Sequence, residues 1–233
     1  MKFENTEVFN FEGALRGMRN PKNSWDKSDS HYCIPNECIQ CKNIEPKENP
    51  YEWQPCTGED ISWTPYKIGE ADMKLAQALI TGGPVHSKFL RQIFVSVDIT
   101  APIFFNAELD TYKVGTVRNS CSFMHKGVSK PFTLEDFDIN YMASGMWNLV
   151  IDELNRLREL YLKDKDPIVF EAIRQLLPSG YEQKFTWTAN YEILRNIYHW
   201  RKKHRLSHWR KFCDWIEQLP YSQALIVYHN IAE

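Results

Sequence analysis

The most regular alternation in the chain runs from Ile93 to Thr100, where Ile93, Val95, Val97 and Ile99 fall on one side and Phe94, Ser96, Asp98 and Thr100 on the other. A period of two rich in β-branched side chains predicts a strand with one buried face. Upstream, "GEADMKLAQALITGG" sets Met73, Ala76 and Ile80 at helical spacing and stops at Gly82 and Gly83, a C-cap pair. Downstream, Pro102 breaks the strand, and "TLEDFDINYMASGMWNLVIDELNRLRELYLKD" predicts one long helix with Thr133 as its N-cap. Two more helical patterns follow, around "PIVFEAIRQLL" and across residues 188–204, and "SHWRKFCDWIEQL" predicts the last helix. Residues 1 to about 66 show little periodicity and are rich in Asn, Pro, Lys, Ser and Asp, which predicts a short first element and then an irregular insert at about 28–66. The sequence has no internal repeat, Gly-rich phosphate loop or low-complexity tract. The expectation is an α+β fold with an antiparallel or mixed sheet and a long-helix C-terminal half, forming a single domain over residues 1–233.

One stripe in the C-terminal half has polar ends. At about 100° per residue, Asn190, Leu194, Ile197 and Arg201 return to nearly the same azimuth. Burying an amide or a guanidinium without partners costs on the order of 2–7 kcal/mol, so if this stripe faces inward its ends must meet hydrogen-bonding groups. A ligand is one such partner. The other reading places Asn190 near the N-terminal turn and lets Arg201 begin the basic run "RKKHR", which suits a helix C-terminus and its dipole.

Composition bounds the class. The chain has 233 residues, 43% hydrophobic and 14% aromatic, enough to fill a core. A net charge of −2 argues for no global basic field, so no nucleic-acid partner is expected. The N-terminal "MKFENTEVFNFEG" is charged where a signal peptide needs an apolar run, and no stretch reaches bilayer length, so the expectation is a cytoplasmic protein without membrane contact. Six cysteines, mostly clustered, suggest metal or catalysis before disulfides. Cys33, Cys38, Cys41 and Cys56 are separated by four, two and fourteen residues, a set that suits a structural zinc ion holding the poorly apolar insert, with His31 as a substitute ligand. Free or redox-linked cysteines are the alternative. Trp53, Trp63 and the insert's tyrosines are candidates to stack on a base or pterin, with ordinary packing as the other fate.

The stretch "AIRQLLPSGYEQKFTWTANYEILRNIYHWR" contains an Arg, then Leu-Pro, an aromatic-Trp-Thr-x-Asn segment and an Asn…Arg helix. In this it resembles the C-terminal signature of the flavin-dependent thymidylate synthases. "VHSKFLRQIFVSVDITAPIFF" is similar to that family's Gly-His-x-x-x-Phe-Glu-His segment and the strand after it, so the resemblance covers roughly residues 69–220. It implies that Arg174 and Arg201 contact a nucleotide, that Asn190 and Asn196 contact the flavin, and that His86 is the motif histidine. The family's Arg-His-Arg motif is replaced by Thr111, Tyr112 and Lys113, with Cys121 at its Ser position, Glu108 for its Gln, Asn119 for a later Glu, and Arg91 for the Glu of Phe-Glu-His.

The nucleotide set implied is therefore Arg174, Arg201, Glu108, Cys121 and Ser122, and the cofactor set His86, Tyr112, Lys113, Asn190 and Asn196. "DTYKVGTVRNSCSFMH" keeps a ligand-facing composition with Ser120 and His125, and Arg118 is a candidate to restore lost charge. Ser24 or Ser28 is the loose counterpart of a family serine near the flavin. By resemblance the protein binds FAD and a dUMP-like pyrimidine nucleotide, uses a reduced folate for C5 methylation or a related one-carbon transfer, and forms a homotetramer with sites between subunits. Two guanidinium forks suit a phosphate dianion, and a flavin supplies redox chemistry while the protein orients it. Cys121 is a candidate nucleophile toward C6 of a pyrimidine, packing being its alternative role. Other readings of the whole chain are a nucleotide-binding regulatory protein without flavin chemistry and a zinc-containing interaction module.

Overall fold

The computed structural model describes residues 1–33, 64–123, 127–140 and 144–228. The architecture is α+β, as the sequence predicts. Its elements are β1 (Lys2–Phe9), α1 (Phe11–Arg19), β2 (His31–Tyr32), β3 (Tyr66–Lys67), α2 (Glu70–Thr81), β4 (Phe94–Pro102), α3 (Ile103–Leu109), β5 (Val117–Ser120), α4 (Ser144–Asp164), α5 (Pro167–Leu176), β6 (Glu182–Asn190), α6 (Tyr191–Arg201) and α7 (Ser207–Glu217), followed by a π-helical turn Gln223–Val227. Four strands form one sheet in the order β1-β4-β6-β5, and β2 pairs with β3 as an antiparallel ribbon. Packing divides the chain into two compact units, the first made of Met1–Asn5 and Val97–Trp187, the second of Thr6–Ser96 and Thr188–Glu233.

The alternation at residues 93–100 is strand β4, with Val95, Val97, Ile99 and Ala101 fully buried. The helix predicted before Gly82 is α2, burying Ala76 and Ile80. Three expectations are corrected. Residues 188–190 belong to β6 rather than to a helix, because Phe185, Trp187 and Ala189 are buried while Lys184 and Thr186 are exposed, a period of two that β-branched and aromatic residues favour. Thr133 caps only the short turn Leu134–Asp136, whose Asp136 side chain closes a capping box. Phe137 then extends into an antiparallel bridge with Tyr181, and the long helix begins at Ser144. The N-terminal stretch is regular: α1 buries Phe11, Ala14, Leu15 and Met18 at spacings of three, one and three residues, one helical face.

In the second unit the stem of the cysteine-bearing insert is tied down by a buried carboxylate. Asp72 is 0% exposed, and it accepts from Arg19 Nε at 2.5 Å, from Ser28 Oγ at 2.6 Å and from Ser30 Oγ at 2.5 Å. Asp29 accepts from the backbone N–H of Ala71 at 2.8 Å and of Asp72 at 3.1 Å in the first turn of α2, and those backbone bonds hold its carboxyl below the usual carboxylate range. The β2–β3 ribbon joins the two ends of the insert, with His31 opposite Lys67 and Tyr32 opposite Tyr66. Ser28, a loose candidate for a flavin contact, spends its hydroxyl on Asp72.

Removing one member of this buried pair strands the other. Asp72→Ala or Arg19→Ala is expected to lower unfolding free energy by about 3–5 kcal/mol, while Arg19→Met with Asp72→Leu recovers much of the loss. Urea denaturation measures both, and single variants that unfold with the parent midpoint contradict the assignment.

Candidate functional site

In the first unit, a cluster of buried apolar side chains includes Phe123, Phe132, Phe137, Leu154 and Ile173, with Tyr181, Trp147 and Phe170 packed against it. Arg174, in the last turn of α5, is exposed and lays its guanidinium 4.9 Å from the centroid of the Phe123 ring. Among the described residues it has no ion pair, so its N–H groups remain available while the ring fixes its position. Ser122 and Cys121 immediately precede Phe123 and are both exposed. The Cys121 N–H donates to the Lys184 carbonyl at 2.9 Å, and its own carbonyl accepts from Gln183 Nε2 at 2.7 Å, which extends the pairing of β5 with β6 by one residue. Exposure of Cys121 excludes the core-packing role considered for it. Of the nucleotide candidates, Arg174 therefore rests on the ring of Phe123, the residue that follows Cys121 and Ser122 in the chain.

Tyr181 borders the same cluster, edge-on to Phe123 with ring centroids 5.6 Å apart. Burial pushes its hydroxyl above the usual tyrosine range, and the charge of Asp136 adds to this. Asp136 itself is pushed up by burial, but the Lys130 ammonium at 2.6 Å and the Thr133 N–H outweigh that and leave it below the usual carboxylate range.

The rewritten motif is a turn. The Thr111 hydroxyl donates to the Glu108 carbonyl at 2.7 Å and so closes the end of α3, and the Tyr112 carbonyl accepts from the Thr116 hydroxyl at 2.6 Å. Lys113 is exposed and Glu108 half-buried. Arg118 is no free replacement for the missing cations, because its guanidinium pairs with Asp110 at 3.0 Å and lies 5.2 Å from the Phe185 ring centroid.

The second unit answers the question of the polar-ended stripe. Leu194 and Ile197 are fully buried, and Asn190, 8% exposed, accepts from the Ile193 N–H at 3.1 Å as the N-cap of α6. At the other end the Arg201 guanidinium sits 4.7 Å from the centroid of Trp209 on α7. The Asn190 amide nitrogen remains after capping, whereas Asn196 faces solvent. His86 is exposed and covers Gly82, where an added Cβ would come within 3.2 Å of its ring.

Sequence reasoning missed the bidentate pair of Arg91 with Glu192 in the first turn of α6. The charge reversal at Arg91 is therefore compensated, but no local spacing links residues so far apart. It also missed Arg195 and His199, which meet the carbonyl of Ile226, Arg195 adding that of Tyr228.

Of the expected zinc ligands, Cys33 is half-buried and its N–H donates to the Pro65 carbonyl at 2.6 Å. Cys38, Cys41 and Cys56 lie outside the described residues, as do Trp53, Trp63 and His125. Among the described residues no group of His, Cys, Asp and Glu could hold a metal ion, and no helix is long and apolar enough to cross a membrane.

No protein-family model matches the chain, and no curated protein matches it. Solved structures do. Two crystal structures of thymidylate synthase X from Helicobacter pylori, both described as complexes with FAD and dUMP, each superpose with a TM-score of 0.64 at 14% sequence identity. The matches cover 97% of this chain and 97% and 98% of the other chains. The protein shares the fold of thymidylate synthase X.

Burial pushes the Cys213 thiol up to about 12, and Tyr198, by burial and its hydrogen bond to Glu217, is also raised to about 12. A folded pKa above the unfolded one gives stability that is complete below the unfolded value, 9.0 for the thiol and 10.0 for the phenol, and is lost as pH rises through about 12. Urea midpoints are therefore expected to fall across this alkaline window, and less so in a Cys213→Ala, Tyr198→Phe variant. An equal fall in that variant contradicts the assignment.

Proposed function

We propose that this protein binds FAD and a pyrimidine nucleoside monophosphate of the dUMP type and uses them, with a reduced folate, for transfer of a one-carbon unit to the base. The observation that carries this reading is the near full-length fold match to thymidylate synthase X structures described as complexes with FAD and dUMP. The geometry of the first unit supports it: an exposed guanidinium without an ion pair, held over the ring of Phe123, which follows the exposed Cys121 and Ser122, fits a phosphate group.

In this reading Arg174 donates to the phosphate, and Ser122 and Cys121 add an O–H and a weak S–H donor. Arg201, held by Trp209, is the second fork, and Asn190 Nδ2, Asn196, His86, Tyr112 and Lys113 orient the flavin. The flavin, when bound, supplies the redox chemistry of the transfer, and the chain's residues position the two ligands and exclude water. No covalent role is assigned to Cys121. Assembly as a homotetramer, with each site shared between subunits, belongs to the same reading.

A second reading has its own support. Thr111 is spent on capping α3, and Arg118 is tied to Asp110, so the segment that replaces Arg-His-Arg brings one free cation, Lys113, among the described residues. This favours a protein that keeps the nucleotide and has given up flavin turnover.

Titration with FAD and with dUMP separates the two. The first reading expects flavin fluorescence to be quenched on binding and dUMP to raise the melting temperature. Arg174→Ala and Arg201→Ala are each expected to weaken dUMP by roughly tenfold to a hundredfold, as loss of a charge-assisted bond predicts, and Arg201→Lys should not restore it. Binding of dUMP without FAD selects the second reading. Binding of neither overturns both.

A further inference from the structure

Between Glu192 and Asp214 the chain contains no Asp or Glu, yet holds seven Lys or Arg and three His, in a protein of net charge −2. The fold commits some of these cations and leaves others bare. Arg195 meets backbone carbonyls, Lys202 pairs with Glu217 at 2.5 Å and Asp214 at 3.2 Å, and Arg201 lies on Trp209. Lys203, Arg205 and Lys211 are exposed and have no acidic partner among the described residues. Arg210 donates to the carbonyls of His204 at 2.7 Å and Arg205 at 2.9 Å, fastening the turn between α6 and α7 that carries Lys203 and Arg205, while Lys211 follows on α7. Trp200, 77% exposed, stands in the last turn of α6, three residues before Lys203 in the turn that follows.

Unpaired like charges close together in the chain repel one another, and a polyanion removes that cost. Anionic lipid fits this surface poorly, because a helix lying in a membrane needs a broad apolar face and the exposed neighbours here are Asn196, Lys203, Arg210 and Lys211. A duplex keeps its base faces covered. A flexible phosphate backbone with open bases matches both features, cations for the phosphates and one bare indole for stacking.

We propose that the α6–α7 turn, with the adjoining end of α6 and start of α7, is a docking surface for single-stranded nucleic acid, with Lys203, Arg205 and Lys211 on phosphates and Trp200 stacked on a base. The net charge, which argues against such a partner, averages over charges that the fold separates. This surface stands independently of the flavin reading.

Fluorescence anisotropy of a labelled oligothymidylate of about 20 nucleotides, with the full chain and rising salt, tests the proposal. Affinity should fall with salt with a log–log slope of about −2 or steeper, since three phosphates contribute about −0.7 each. Lys203→Ala, Arg205→Ala and Lys211→Ala combined should weaken binding at least tenfold and flatten the slope, and Trp200→Ala should weaken it at least fivefold. All four side chains are exposed, so melting temperatures should match the parent. Lys22→Ala with Lys27→Ala, two exposed cations elsewhere, should leave affinity unchanged. The proposal is overturned if the oligonucleotide does not bind at low salt, or if the control loses as much as the triple variant. It also fails if duplex DNA or phosphatidylserine vesicles bind more tightly and displace the oligonucleotide.

Discussion

A helix whose middle is fully buried has to satisfy whatever stands at its ends. In α6 this requirement is met at Asn190, which stops being a strand residue and becomes a helix cap, and at Arg201, which rests on Trp209. The carbonyl of Ile93 receives the N–H of Tyr191 at 3.0 Å, so the same junction holds the start of the helix beside the entry to β4. The pair of Arg91 with Glu192 adds a charge clasp at that point. Once the junction is set, the flank of α6 that carries Asn196 and Trp200 is directed to solvent.

Both arginines of the nucleotide reading are seated in the same way, guanidinium over ring: Arg174 on Phe123 and Arg201 on Trp209. An aromatic face orients a guanidinium without consuming its N–H donors, whereas an ion pair would consume them. Arg19 and Arg91 are instead paired to carboxylates, and Arg118 has both a carboxylate, Asp110, and a ring, Phe185. Of these arginines Arg174 has no ion pair among the described residues, so its donors remain for a ligand.

Much of this was legible in the sequence. The alternation at residues 93–100 and the 3.6-residue spacing at 73–80 gave β4 and α2, because each element buries one face and pattern follows burial. The pattern predicts helix already at residues 188–190, since Leu194 and Ile197 set a helical phase that extrapolates backward over Thr188 and Ala189. Only the cap geometry reveals where the strand ends. Asp72 looked like an ordinary acid in a first helical turn, and nothing in its neighbourhood in sequence announces Arg19, Ser28 and Ser30 as partners. For the site, the positions carried by resemblance could be named, but the seating of Arg174 on Phe123 and of Arg201 on Trp209 depends on tertiary packing that no local spacing shows.

Calorimetric titration of the parent and of an Arg174→Ala, Arg201→Ala variant with dUMP and with deoxyuridine isolates the phosphate. If the ring-seated guanidinium groups hold it, dUMP binds the parent far more tightly than deoxyuridine, and the gap collapses in the variant with deoxyuridine binding unchanged. Equal affinity of the two ligands for the parent, or a gap that survives loss of both arginines, would contradict this view of the site.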